Sequence, residues 1–315
     1  MVQYIAKVDG QVRRLEEPAP GCWISIMPPF NKEELEEFSQ RYEIPIDFLT
    51  DPLDLDERSR YEREEDVRLI IVNTPLLNEL EEEIDAIFIT VPVGIILTPD
   101  YIITITSFEN PILKRFADGK VKNFDPEDER LFVLQIFEQT VVRYLNCLKQ
   151  LNLKRNMIEQ ELYDSSRNKE LKQLLSIEKS LVYFVNSLSA NELLKMKMKR
   201  SDLLNIRNDE DLTDLFEDII IDNSQALEMA NVYTNILNGT MDAYSSIISN
   251  NLNLVIQRLT LITIMLMVPT LVASFYGMNV GLPFQDSRYA FPIILLIALV
   301  ISLLLGWYFL RKRLF

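Results

Sequence analysis

The chain has 315 residues, 48% apolar and 25% charged, with a formal net charge of −15, no histidine and two cysteines. Histidine-dependent triads are therefore excluded, and Cys22 and Cys147 stand far apart and unaccompanied, without a zinc, haem or thiol-redox motif. Glycine is scarce and neither GxxxxGK(S/T) nor GxGxxG occurs, so no phosphate-cradling loop points to nucleotide-driven work.

The charge is unevenly spread. Residues 1–258 carry −18, and residues 259–315 carry +3, from Arg288, Arg311, Lys312 and Arg313 against Asp286. An acidic body repels a nucleic-acid backbone. Joined to an apolar, basic-ended tail, it suits a membrane protein that handles cations. The opening MVQYIAKVDGQVRRLEEP has neither an apolar signal core nor the acid-poor character of a transit peptide, and is expected to be a mature strand of a cytoplasmic body.

In chain order, QYIAKV (3–8), VRLIIVNT (67–74), IDAIFITVPVGIIL (84–97) and YIITITS (101–107) read as strands, and NKEELEEFSQRY (31–42) as a helix. The alternation predicts an α/β domain over 1–125, closing near DGKVKNFDPEDE (118–129), where Asp125 can cap a helix. From there to Pro269 no proline follows Pro126 and Gly239 is the only glycine, so helix is the default. Helices at about 127–165 and 168–200 are expected to form an antiparallel hairpin turning at DSSRN, within a domain 126–207. A third starts after RNDED (207–211) and runs through 208–276, its last part, about 255–276, inside the membrane. At ~1.5 Å per residue it spans on the order of 100 Å, more than twice a bilayer. The run KMKMKR (195–200) is expected to be a solvated helix end, the alternatives being an intersubunit or lipid-facing patch.

Leu259 to Tyr276 and Tyr289 to Leu310 are free of charge and long enough to cross the hydrocarbon core, leaving a loop 277–288 and a basic tail 311–315. Arg311, Lys312 and Arg313 place the C-terminus on the cytoplasmic side, and two spans put the N-terminus there as well. Two spans cannot enclose an ion path, so a channel must be an oligomer. The fold class is an α+β/α membrane protein: an N-terminal cytoplasmic α/β domain, a long-helix stalk and two C-terminal transmembrane helices.

Within the first span Thr260, Thr263, Met267, Thr270 and Ser274 recur at spacings of 3 and 4, which is one helical face. The same spacing continues towards the N-terminus through Asn253, Ser249, Ser246, Asp242, Asn238 or Gly239, and Asn235, with one gap near Ile256 and Gln257. Polar groups in hydrocarbon need partners or water, and a ring of such helices supplies water; helix packing is the alternative use of the same residues. A stripe without formal charge inside the span holds a divalent ion through its water shell. Pro269 removes a helical hydrogen bond from the Met265 carbonyl, which a tolerated kink would also explain.

The span ends in Tyr276-Gly277-Met278-Asn279. A Gly-Met-Asn at the end of VPTLVASFYGMN, with a second span ten residues on and a basic C-terminus, resembles the CorA family of magnesium transporters, and the α/β body with its long helices extends the resemblance over the whole chain. It implies a homopentameric funnel whose first spans line the pore, with Asn253, Leu259, Met267, Thr270 and Asn279 at its polar ring, hydrophobic constriction and selectivity loop. Leu259, which the stripe does not include, would gate by dewetting. Gly277 is expected to permit a positive-φ turn, and Asn279 to offer its carbonyl oxygen to hydrated Mg²⁺. The family closes when cytoplasmic magnesium binds between subunits. TDPLDLDERSRYE (50–62) and LFEDII (215–220) resemble the regions supplying those carboxylates, which makes Asp51 and Asp218 candidates, with Asp54 and Asp56 as alternates. Asp242 would concentrate cations at the inner mouth. One departure stands out: VGLPFQDS follows Gly-Met-Asn where many relatives carry a Met-Pro-Glu-Leu-like run, so Asp286 alone remains of the outer acidic cluster.

The resulting expectation is a potential-driven channel for Mg²⁺ uptake that also passes Co²⁺ and, less faithfully, Ni²⁺. Two other readings stay open: a zinc transporter of the related ZntB type, disfavoured by Gly-Met-Asn in place of Gly-Ile-Asn and by the lack of histidine, and a non-conducting membrane magnesium sensor using Asp51 and Asp218.

Overall fold

A computed structural model describes residues 2–79, 85–164, 168–278, 281, 283 and 289–312. Seven strands come first: β1 (Val2–Val8), β2 (Gln11–Leu15), β3 (Trp23–Ile26), then, after helices α1 (Lys32–Tyr42) and α2 (Ile46–Thr50), β4 (Arg60–Glu64), β5 (Val67–Leu77), β6 (Phe88–Leu97) and β7 (Ile102–Thr106). Helices follow: α3 (Pro111–Ala117), α4 (Glu129–Asp164), α5 (Asn168–Ser201), α6 (Glu210–Tyr276) and α7 (Ala290–Arg311).

The strands form one sheet in the order β2-β1-β3-β7-β6-β5-β4, antiparallel throughout except for the parallel pair β3–β7. Every residue of β6 is buried, because this strand is covered on both faces. On one face Ile24, Ile26, Leu69, Ile71, Ile103 and Ile105 pack with Leu35, Phe38, Phe48 and Leu49 of α1 and α2. On the other, Trp23, Ile70, Val72, Val93 and Ile95 pack with Phe116, Phe132, Phe137, Leu194 and Phe216 of the later helices. The start of α6 thus shares the core of the sheet. The chain divides into two compact units, 1–241 and 242–315.

A buried polar knot ties the sheet to α5. Asn191, fully buried, donates to the Asn73 carbonyl at 2.8 Å and accepts from the Asn73 N–H at 3.1 Å and from Ser59 Oγ at 2.6 Å. The Asn73 side-chain amide completes the knot by donating to the Glu57 carbonyl and Ser59 Oγ, both at 3.1 Å, as burial demands.

Candidate functional site

Two helices, α6 and α7, each hold an 18-residue window apolar enough to cross a membrane. In the unit formed by residues 242–315, the shielded residues of α6's apolar part are Leu261, Met265, Val268, Pro269, Val272 and Tyr276. Their spacing is one helical face, and it meets α7: Ser302 Oγ donates to the Met265 carbonyl at 3.3 Å, and a Cβ added to Gly306 would lie 3.5 Å from Met265 Sδ.

The stripe lies elsewhere. Asp242, Ser246, Ser249, Asn253, Thr260, Thr263, Met267, Thr270 and Ser274 are all exposed. At about 100° per residue, the centre of the Thr260 to Ser274 set falls roughly opposite the centre of the face against α7. The polar side chains of the stripe are therefore not what holds α6 to α7. Leu259, 63% exposed, borders the stripe.

Four of the stripe's hydroxyls share an arrangement. Thr260 donates to the Ile256 carbonyl (2.9 Å), Thr263 to Leu259 (2.8 Å), Thr270 to Leu266 (2.9 Å) and Ser246 to Asp242 (3.0 Å). A hydroxyl carries one hydrogen and two lone pairs. With the hydrogen committed to the preceding turn, what faces outward is an acceptor, matched to the protons of water around a cation.

At the end of α6 the Gly277 N–H donates to the Ala273 and Ser274 carbonyls (3.0 and 3.2 Å) and the Met278 N–H to Phe275 (3.2 Å). Gly277 is not in the positive-φ region, which among the glycines holds Gly10, Gly21 and Gly119. The expected left-handed turn is absent at Gly277 because the helical hydrogen-bonding pattern carries on through it. Tyr276 Oη donates to the Pro283 carbonyl at 3.2 Å. Asn279 and Asp286 lie outside the described residues, as does the centre of the DSSRN turn.

The candidate regulatory aspartates fall on different elements. Asp51 begins a 3₁₀ turn, Asp51–Leu53, directly after α2. Its Oδ2 accepts from Arg60 Nη2 at 2.6 Å. Asp54 Oδ1 accepts from the Asp56 N–H at 3.0 Å, a local turn. Asp218 is exposed on α6 between buried Phe216 and Ile219. Among the described residues no three His, Cys, Asp or Glu side chains gather as a metal cage.

Two features were not anticipated. Arg60, on a charged strand, serves three carboxylates. Lys195, from the run expected to be solvated, is fully buried, donates to Asn223 Oδ1 of α6 at 2.7 Å and lies 5.4 Å from the centre of the Phe137 ring. The signal existed: Phe184, Leu188, Asn191, Lys195 and Met198 recur at 4, 3, 4 and 3 residues and are all buried. Burial drives the Lys195 pKa down to about 7, with Glu192 pulling the other way.

An α/β unit followed by a long helix whose apolar end, with α7, makes two C-terminal apolar helices, the first bearing a polar stripe uncharged within its apolar part, has the architecture of a two-span membrane transport protein. The family model of the CorA-like Mg²⁺ transporter proteins matches residues 19–313, and the chain belongs to that family. It is 28% identical over 295 residues to the cobalt/magnesium transport protein CorA of Methanocaldococcus jannaschii, covering 92% of this chain and 90% of the relative. The complete structure of the CorA magnesium transporter from the same organism superposes with a TM-score of 0.81 at 24% identity, over 99% of this chain and 98% of that one. The cytoplasmic domain of ZntB from Vibrio parahaemolyticus superposes at 0.61 with 10% identity, over 79% of this chain and 98% of the other. At such identities the structural likenesses speak to fold, and it is the family model that sets the class.

Proposed function

We propose that the chain forms a passive Mg²⁺ channel that also carries Co²⁺ and, less well, Ni²⁺, as a homopentamer with both termini in the cytoplasm. The single observation that carries this reading is the exposed stripe of α6, set opposite the α7-facing side with its hydroxyl hydrogens bonded inward. Copies of α6 arranged around an axis would line a path with oxygen acceptors. Mg²⁺ gives up its waters reluctantly, so such a lining binds the hydrated ion weakly enough to release it. Asp242 would gather cations at the inner mouth, and Asn279 would meet them at the outer one. At ~2.3 kcal/mol per charge per 100 mV, a divalent ion gains roughly 4.6 kcal/mol on entry, so uptake needs no nucleotide.

Closure would follow when cytoplasmic Mg²⁺ bridges Asp51 of one subunit and Asp218 of the next, with Asp54 and Asp56 near the first. Oxygen donors on partly exposed elements are of the type Mg²⁺ takes, and one or two carboxylates with retained waters suffice. The test is uptake into proteoliposomes of the purified protein at an inside-negative potential, comparing Mg²⁺, Co²⁺ and Zn²⁺ with Asn279→Ala as control. Potential-driven Mg²⁺ uptake that Asn279→Ala removes supports the channel; Zn²⁺ uptake without Mg²⁺ favours the zinc transporter, and no uptake favours the sensor.

A further inference from the structure

The turn bearing Asp51 already holds a cation. Arg60 donates through Nη2 to Asp51 Oδ2 at 2.6 Å, through Nη1 to Glu57 and through Nε to Glu62 at 3.3 Å. One guanidinium thus faces three carboxylates. The side chains of Asp51 and Arg60 are 33% and 31% exposed, shielded enough to weaken screening yet open to an aqueous ion.

Both partners are fixed from behind. Arg60 opens β4 opposite Ile71, and Ser59 before it is bonded to the buried Asn191. Pro52, next to Asp51, is buried against Gly94, where an added Cβ would come within 2.4 Å of its Cγ. The contact is therefore preformed, unlike a chance meeting of two long surface side chains. The guanidinium is a permanent cation, held in place by Asp51, Glu57 and Glu62.

We propose that Arg60 is the resident counter-ion of Asp51 and that a regulatory divalent cation must displace it, so that Arg60 sets the Mg²⁺ concentration at which the protein responds. This rests on the assignment of Asp51 to the regulatory site. A metal ion bound at ~2.0–2.1 Å and a guanidinium hydrogen bond cannot share one carboxylate oxygen direction, and the two cations repel. If Arg60 instead merely positioned Asp51 for the metal, its loss would weaken binding. The two roles have opposite signs.

The experiment measures, on the full-length detergent-solubilised protein, the Mg²⁺ concentration giving half-maximal protection from chymotrypsin. Arg60→Gln is expected to lower that concentration about fivefold, the equivalent of roughly 1 kcal/mol for one partly exposed pair. Arg60→Lys, which keeps the charge but loses the planar fork, should shift it in the same direction by less. Arg63→Gln, removing a charge from the same strand without touching Asp51, should leave it nearly unmoved. An unchanged or raised midpoint in Arg60→Gln, or an equal shift in Arg63→Gln, overturns the proposal. If Arg60→Gln melts before Mg²⁺ is added, the direction of the Arg60→Lys shift decides. Asp51→Ala tests the underlying assignment separately: protection with an unaltered midpoint in that variant means the regulatory ion binds elsewhere, whatever Arg60 does.

Discussion

Ser302 of α7 donates its hydroxyl to the carbonyl of Met265 in α6, the carbonyl that Pro269 four residues later cannot bond. In hydrocarbon an unpartnered carbonyl is costly, and a neighbouring helix is one of the few sources of a donor. Gly306, one turn beyond Ser302, lies beside the Met265 side chain, where a Cβ would meet its sulfur at an ordinary contact distance of 3.5 Å. Proline and serine thus act as one joint between the two spans.

Ser302→Ala should therefore destabilise the folded protein by about 0.6 kcal/mol, and by no more than about 1.7. Pro269→Ala restores an N–H to the Met265 carbonyl, so in that background the loss of the Ser302 hydroxyl should cost little. Unfolding of the four variants in micelles measures the coupling. Equal costs in the two backgrounds would show that Ser302 does not compensate for the proline.

Lys195 predicts a pH dependence of stability. Its pKa is about 7 in the folded protein against 10.5 for an ordinary lysine. Between those values the unfolded chain holds a proton that the folded chain has released, so stability rises with pH from about 7 to about 10 and is reduced below 7. The groups facing it are Asn223 on α6, Phe137 on α4 and, one turn back on α5, Glu192, whose carboxylate is bonded by Ser224. Lys195→Met should raise the melting temperature at pH 6 and flatten the rise between pH 7 and 9. A wild-type and variant profile of the same slope would mean that Lys195 does not titrate there.

Gly94 predicts the sensitivity of the Asp51 turn. A methyl group at this position would sit 2.4 Å from Pro52 Cγ and 3.0 Å from Ile105 Cγ2, and neither neighbour is the end of a flexible chain. Gly94→Ala should cost about 1–3 kcal/mol by overpacking and shift the Mg²⁺ midpoint for chymotrypsin protection. Unaltered stability together with an unaltered midpoint would show that the turn is not seated on β6 as described.

Much of this architecture was legible in the sequence where patterns were long. The scarcity of proline and glycine marked α4, α5 and α6, unbroken apolar runs marked the spans, and β-branched runs marked β1, β5, β6 and β7. Strands β2 (QVRRL) and β4 (RYERE) carry little apolar signal because they are charged and lie at the sheet edges, and β3 (WISI), buried inside the sheet, is only four residues long. The weak signal of β4 hid Arg60 as well, because only the pairing of β4 with β5 brings it to Asp51. The stripe itself followed from its 3 and 4 spacing. Its direction did not, since the face opposite is defined by Met265, Ser302 and Gly306, which meet through packing alone. Lys195 was hidden by composition, its run of cations outweighing a spacing that places it inside.

The central claim, that the stripe of α6 lines the ion path, is tested most directly by substituted-cysteine accessibility. Native Cys22 and Cys147 are buried, which keeps the background low. Single cysteines at Thr263 and Thr270 are compared with cysteines at Val268 and Val272, in proteoliposomes treated with a small, membrane-impermeant cationic thiol reagent while Mg²⁺ uptake is followed. Modification at Thr263 and Thr270 that blocks uptake and is slowed by Co²⁺, with no effect at Val268 and Val272, is the predicted result. Block at Val268 and Val272 with Thr263 and Thr270 unreactive would contradict it.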